Sequence, residues 1–155
     1  MSDRKTILLV EDDRDDVFFF QYALENAGVN NPLKIAVNGQ QAVDYLAGTG
    51  QYADRVKFPL PGLVLLDLKL PIKTGLDVLR WLQAQPHLVG VVVVVLTSSS
   101  ESADVESAYS LGARSYLIKP VALEKRVDMV RKLKDYWLEM NRFPTLPGAP
   151  GKTGH

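Results

Sequence analysis

Five residues in this chain have the types and the placement to do chemistry together: Glu11, Asp12, Asp67, Thr97 and Lys119. Asp67 ends the apolar run Leu63-Val64-Leu65-Leu66, and Glu11-Asp12-Asp13 ends Ile7-Leu8-Leu9-Val10. Val91 to Leu96 runs into Thr97-Ser98-Ser99, and Tyr116-Leu117-Ile118 into Lys119-Pro120. Each run reads as a buried parallel strand, and open α/β sheets build their sites at the carboxyl edge of such strands. Carboxylates, a hydroxyl and an amine therefore meet at one rim. Three carboxylates without thiolates or histidines form a hard oxygen site, suited to Mg²⁺ rather than zinc. A carboxylate beside such an ion can be a nucleophile toward a phosphoryl group. Charge on the phosphoryl oxygens must then be neutralised, and Lys119 and Thr97 are available for that alongside the metal.

Taken singly, each of these residues has an ordinary explanation. Glu11-Asp12-Asp13 suits an acidic helix start, Asp67 a turn before Pro71, Thr97 a β-branched strand end, and Lys119 a solvated charge. Their joint placement on successive strand ends is what points to a site.

The elements that must position them alternate along the chain. Arg14 to Ala27 carries Phe19, Phe20, Ala23, Leu24 and Ala27 on one helical face, with Gly28 as its stop. Leu33 to Val37 is a short strand, Gln40 to Leu46 a short helix, and Ala47 to Gly62 a long, partly irregular connection. Thr74-x-x-Asp77 resembles a capping box opening a helix that ends at Pro86. Ser102 to Leu111 is a helix closed by Gly112, Ser115 to Ile118 a fifth strand, and Ala122 to Asn141 a last helix. Five β-α units imply an α/β fold, a doubly wound five-stranded parallel sheet. The flavodoxin-like order 2-1-3-4-5 sets strands 1 and 3 side by side, bringing Glu11 and Asp12 next to Asp67. Residues 1–141 form one domain, and the Pro- and Gly-rich residues 142–155 read as a disordered tail.

Eighteen basic residues balance eighteen acidic ones, so no global field points to nucleic acid or an anionic membrane. There is no cysteine, which removes disulfides and thiolate metal sites. No signal peptide or bilayer-spanning run is present, and a cytoplasmic location is expected.

Val10-Glu11-Asp12-Asp13, then Leu65 to Pro71 with Gly75, then Leu96-Thr97-Ser98, then Tyr116 to Pro120 resemble the receiver domain of two-component response regulators. Thirty residues separate Asp67 from Thr97 and twenty-two separate Thr97 from Lys119, spacings that match the family. The resemblance covers about residues 5 to 140. It implies that Asp67 is the phosphoacceptor and Asp12 a direct Mg²⁺ ligand. Glu11 would act through a metal-bound water, and the backbone carbonyl of Lys69 would complete the protein ligands. Thr97 and Lys119 would contact the phosphoryl group, Tyr116 would be the aromatic switch, and the Lys119–Pro120 peptide would be cis. The connection Gln51 to Pro61, the run Asp104 to Ala113 and Asp135-Tyr136-Trp137-Leu138 further resemble single-domain regulators paired with bacterial phytochromes. Two departures stand out. Lys69 occupies a position that tunes phosphoryl lifetime in the family, where relatives more often carry a small polar residue such as Asn; a cation there would either slow water attack or compete with the metal. Thr74 stands where an acid usually precedes the Gly.

The resemblance implies a signalling protein with only slow self-catalysed phosphotransfer and dephosphorylation, not a turnover enzyme. Its partner would be a sensor histidine kinase, by the narrower resemblance a bacteriophytochrome, docking over Val17 and Phe18 on the first helix. In the last helix, Leu123, Val127, Val130 and Trp137 fit the core. Met129, Leu133, Tyr136 and Met140 form a second stripe that suggests a homodimer. The runner-up function is a receiver-fold dimerisation or binding module whose signalling does not depend on phosphorylation. An aspartyl-phosphate hydrolase needs an acid where Lys69 stands. A flavodoxin needs a phosphate loop that Glu11-Asp12-Asp13 would repel.

Overall fold

The computed structural model describes residues 5–146. Five parallel strands, β1 (Ile7–Val10), β2 (Leu33–Ala36), β3 (Leu63–Leu66), β4 (Val92–Thr97) and β5 (Ser115–Ile118), lie in the order β2-β1-β3-β4-β5. Between and after them run α1 (Arg14–Asn26), α2 (Gly39–Ala47), α3 (Gly75–Gln83), α4 (Ser102–Ser110) and α5 (Leu123–Leu133). The three central strands are buried on both faces, which is why they read as unbroken apolar runs. Leu8, Val10, Val64, Leu66, Val93 and Val95 pack on one side with Ala42 and Leu46 of α2 and Val78 and Leu79 of α3. Ile7, Leu9, Leu63, Leu65, Val92 and Val94 pack on the other, under Phe20 of α1, Leu133 of α5 and Trp137.

Register decides which residues leave the sheet together. Val10 pairs with both Ala36 and Leu66, and Leu66 pairs with Val95. The next residues, Glu11 and Asp67, thus emerge side by side, and the Asp67 amide donates to the Val10 carbonyl at 3.1 Å.

The capping box is formed as expected. Thr74 Oγ1 accepts from the Asp77 amide at 3.2 Å, and Asp77 Oδ2 accepts from the Thr74 amide at 3.0 Å. The long connection is better ordered than its composition suggests. Arg55 donates from Nη1 to the carbonyls of Tyr45 at 2.7 Å and Phe58 at 3.1 Å, and from Nη2 to that of Leu46 at 2.8 Å. It thereby satisfies the orphan carbonyls at the end of α2. Tyr45, Tyr52 and Phe58 pack against one another, Phe58 edge-to-face with both tyrosines.

Three expectations are corrected. The last helix changes register: Lys134–Met140 is a π-helix that ends one residue short of Asn141. The chain from Arg142 is not a tail throughout, because Phe143 packs on the sheet and Leu146 is buried beside the α3–β4 connection. Apolar residues among the prolines supply that anchor; residues 147–155 lie outside the described residues. Finally, no peptide bond among the described residues is cis, so Lys119–Pro120 is trans. Both sides of that bond are pinned, Lys119 by its amide, which donates to the Thr97 carbonyl at 2.8 Å, and Pro120 by its carbonyl, which accepts from Arg126 Nε at 2.6 Å.

Candidate functional site

Four of the five strand ends, those of β1, β3, β4 and β5, each deliver a side chain to the rim. Glu11 leaves β1 and is 3% exposed; Asp67 leaves β3 and is 7% exposed. Asp12, next along, is exposed. One carboxylate oxygen from each of the three lies within 4.8 Å of the others. Opposite ligands on Mg²⁺ stand about 4.2 Å apart. An all-oxygen set of this spread fits such an ion after a small contraction, or with a water between one carboxylate and the metal.

Lys119 leaves β5 and reaches back across the sheet. Its Nζ lies 2.5 Å from Glu11 Oε1, 2.9 Å from Asp67 Oδ2 and 2.9 Å from Asp16 Oδ2. Leu9, Leu65 and Leu96 of the strands, Phe20 of α1 and Met129 of α5 line the floor of this pocket, so the charges sit against apolar surface. Burial accordingly pushes the Glu11 carboxyl from 4.5 up to about 7, only partly offset by the hydrogen bond from Lys119. Burial disfavours the Lys119 ammonium as well, but its bonds to Glu11, Asp16 and Asp67 outweigh that and raise it above its ordinary value. Burial likewise opposes charge on Asp16, and Lys119 and Arg126 overcome it, holding that carboxyl below its usual range.

Thr97 is fully buried at the end of β4, its Oγ1 accepting from the Ser99 amide at 3.4 Å. Tyr116 is half-buried, and its hydroxyl donates to the Ser99 carbonyl at 2.9 Å. Ser99 Oγ in turn meets Asp104 of α4 at 2.5 Å. Tyr116, the residues after Thr97 and the start of α4 are thus tied together. The Lys69 side chain is exposed, while its amide donates to Asp67 Oδ1 at 3.2 Å. Gly75 explains how β3 and α3 close around the acid: a Cβ there would stand 2.3 Å from the Asp67 carbonyl oxygen. Only glycine permits that approach.

Some expected surface residues face inward. Val17 packs against the Ile7–Leu9 side of the sheet, because it continues the Phe20, Leu24, Ala27 stripe one turn back. Phe18 alone projects outward, 63% exposed. In α5, Leu133 is buried and Met129 lines the pocket floor, leaving Tyr136 and Met140 exposed. Leu123, expected in the core, is exposed in the first turn. The α1–α5 packing sets this phase: Val130 is buried with Ala23 and Leu24. Sequence reasoning missed two charged residues, Asp16 and Arg126, whose Oδ1 and Nη1 are 2.9 Å apart. An Asp and an Arg on separate helices carry no spacing signal that would pair them.

The family model for the response regulator receiver domain matches residues 7–131. The chain belongs to that family. It is 38% identical to response regulator Rcp1 of a Synechocystis strain, over 94% of this chain and 95% of that one. The phosphorylated cyanobacterial phytochrome response regulator RcpA superposes with a TM-score of 0.86 at 34% identity, covering 92% of this chain and all of the other. A Mn²⁺-bound form of Rcp1 superposes with a TM-score of 0.83 at 37% identity, covering 91% and 99%. This receiver is therefore related to phytochrome response regulators. No described helix is long and apolar enough to cross a membrane.

Proposed function

We propose that this receiver accepts a phosphoryl group from a sensor histidine kinase onto Asp67, in a Mg²⁺-dependent reaction, and signals through altered protein contacts. The observation that carries the reading is the convergence of Glu11, Asp12 and Asp67 within 4.8 Å with the Lys119 ammonium 2.9 Å from Asp67. Glu11, Asp12 and Asp67 would hold the ion. Neutralisation of negative charge on the phosphoryl oxygens is the chemistry a bound Mg²⁺ supplies.

The chain's own groups do the rest. An Asp67 carboxylate oxygen attacks phosphorus as the bond to the donor's imidazole nitrogen breaks, and that nitrogen keeps the electron pair. Lys119 is already hydrogen-bonded to Asp67 and turns its ammonium to the new phosphoryl oxygens, where negative charge gathers. The Thr97 hydroxyl donates to the same group. Its movement draws on the Ser99 carbonyl, which holds Tyr116, and on the Ser99 hydroxyl, which holds Asp104 of α4. The surface around α4 and β5 changes with it, and the output is a change of partner rather than a released product. Kinship with phytochrome response regulators supports a phytochrome-type kinase as the donor, docking over the exposed Phe18.

Incubation with acetyl phosphate and Mg²⁺ should add one phosphate to the protein mass, and Asp67→Asn should abolish the addition. An unchanged parental mass across donor and metal concentrations rejects the reading. Phosphotransfer profiling against purified histidine kinases then identifies the donor, with phytochrome kinases expected to transfer fastest.

A further inference from the structure

We propose that Asp16 is a positioning residue that aims the Lys119 ammonium, and that Arg126 holds Asp16 in place. This rests on the phosphoacceptor reading of Asp67. An ammonium has three N–H donors, and all three of Lys119's are committed: to Glu11, to Asp67 and to Asp16. Glu11 and Asp67 are the two partners that change when phosphate and metal arrive. Asp16 stands outside that exchange, on the first turn of α1, and keeps its hold on Nζ throughout.

Asp16 is itself immobilised. Its second oxygen, Oδ1, accepts from Arg126 Nη1 at 2.9 Å. Arg126 Nε donates to the carbonyl of Pro120, the residue after Lys119. The contacts therefore close a ring: Lys119 Nζ to Asp16, Asp16 to Arg126, Arg126 to Pro120, and along the chain back to Lys119. Lysine's stem is flexible, and an ammonium on it is placed only as well as its partners place it. The side chains of Lys119, Asp16 and Arg126 are 11%, 23% and 24% exposed, so water screens the ring far less than a surface ion pair. The two charges that sequence reasoning left without a role, Asp16 and Arg126, take one here.

The test uses the full chain with acetyl phosphate as donor and saturating Mg²⁺. Asp16→Ala should lower the maximal rate of phosphate incorporation about tenfold, within what a misplacement near 1 Å can cost, while the apparent Mg²⁺ and donor constants move less than about threefold. Asp16→Asn keeps an acceptor oxygen and should lose less. In a Lys119→Met background, Asp16→Ala should bring no further loss, because its effect passes through the ammonium. A parental rate in Asp16→Ala, or an undiminished loss in the Lys119→Met background, overturns the proposal. A second readout needs no phosphate: the ¹⁵Nζ ammonium signal of Lys119, protected from exchange in the parent, should broaden in Asp16→Ala. An unchanged signal also overturns the proposal. If the parent itself gains no phosphate, the phosphoacceptor reading fails, and the ammonium signal still decides whether Asp16 places Lys119. Thermal unfolding checks that each variant folds, and Asp16→Asn serves if the alanine variant does not.

Discussion

Replacing Glu11 with glutamine should stabilise the metal-free protein, and should do so increasingly as pH rises. Burial lifts the Glu11 carboxyl from 4.5 to about 7 even with the Lys119 ammonium against it. Between those values the folded chain keeps a proton that the unfolded chain has released. Stability is therefore full below the lower value and is lost as pH rises to the upper one. At about 1.4 kcal/mol per pH unit, the loss is roughly 3 kcal/mol. Glutamine keeps the length and an acceptor oxygen for Lys119 while removing the charge. Lys119 retains Asp16 and Asp67 as partners, so the substitution does not strand a buried cation. Parent and variant should thus have similar stability in acid and differ by roughly 3 kcal/mol at about pH 8, in favour of the variant. Asp16 and Asp77, both held below their ordinary range, act equally in the two proteins and cancel in the difference. Urea unfolding across this pH range with a chelator present measures it, with equal slopes required for the comparison. Mg²⁺ should then stabilise the parent more than the variant, since ligand binding adds to stability in proportion to affinity. A variant that falls further below the parent as pH rises from acid to about 8 would refute burial as the controlling force. It would show an ionised Glu11 held by Lys119.

Four further outcomes follow from the same contacts. Arg55→Ala should cost about 2–4 kcal/mol in urea unfolding, because three carbonyls lose a charged donor; Arg55→Lys should not restore it, since one ammonium cannot reproduce the fork. Ile72 has φ 71° and is 75% exposed, so Ile72→Gly should raise stability by about 0.5–1 kcal/mol, and a loss would mean the side chain packs. Thr74→Ala should cost about 1 kcal/mol at neutral pH. Hydrogen bonding to Thr74 holds the Asp77 carboxyl low, a contribution present above its unfolded value and lost as pH falls, so the cost should shrink in acid. Lys69 makes no ion pair with the acids among the described residues, so Lys69→Asn should leave metal-free stability within about 0.5 kcal/mol. It should shorten phosphoryl lifetime on Asp67, read from decay of the phosphoprotein mass.

The sheet was legible because its signal is one-dimensional. Runs such as Leu63 to Leu66 and Val92 to Val95 are apolar on every residue and too short for a buried helix, which suits a strand covered on both faces. Thr74 with Asp77 was legible because a capping box is a local contact. The phases of α1 and α5 were not. Val17 and Leu133 are apolar at positions that two neighbouring stripes can claim, and the choice falls to how the two helices pack on one another. The change to π register after Leu133 alters that phase midway, and nothing in Lys134–Met140 announces it. Arg55 was invisible for a related reason: its partners are backbone carbonyls, which have no sequence identity.

The site shows the same division, with one consequence for its charge. Glu11, Asp67 and Lys119 could be placed because parallel register aligns strand ends whatever the surrounding side chains do. Asp16 and Arg126 could not, since their contact depends on α1 meeting α5 at one rotation. Omitting them nevertheless left the expected cation chemistry intact. The two residues carry opposite charges 2.9 Å apart and so add no net charge to the rim. The field there is set by the strand-end residues, three carboxylates against one ammonium. Burial, more than that surplus, favours a proton on Glu11, and the three carboxylates fit a divalent cation. A lone Asp16 would have deepened the surplus and pulled Lys119 away from Asp67. Paired with Arg126, it gives direction to the ammonium without adding to the charge that the ammonium must balance.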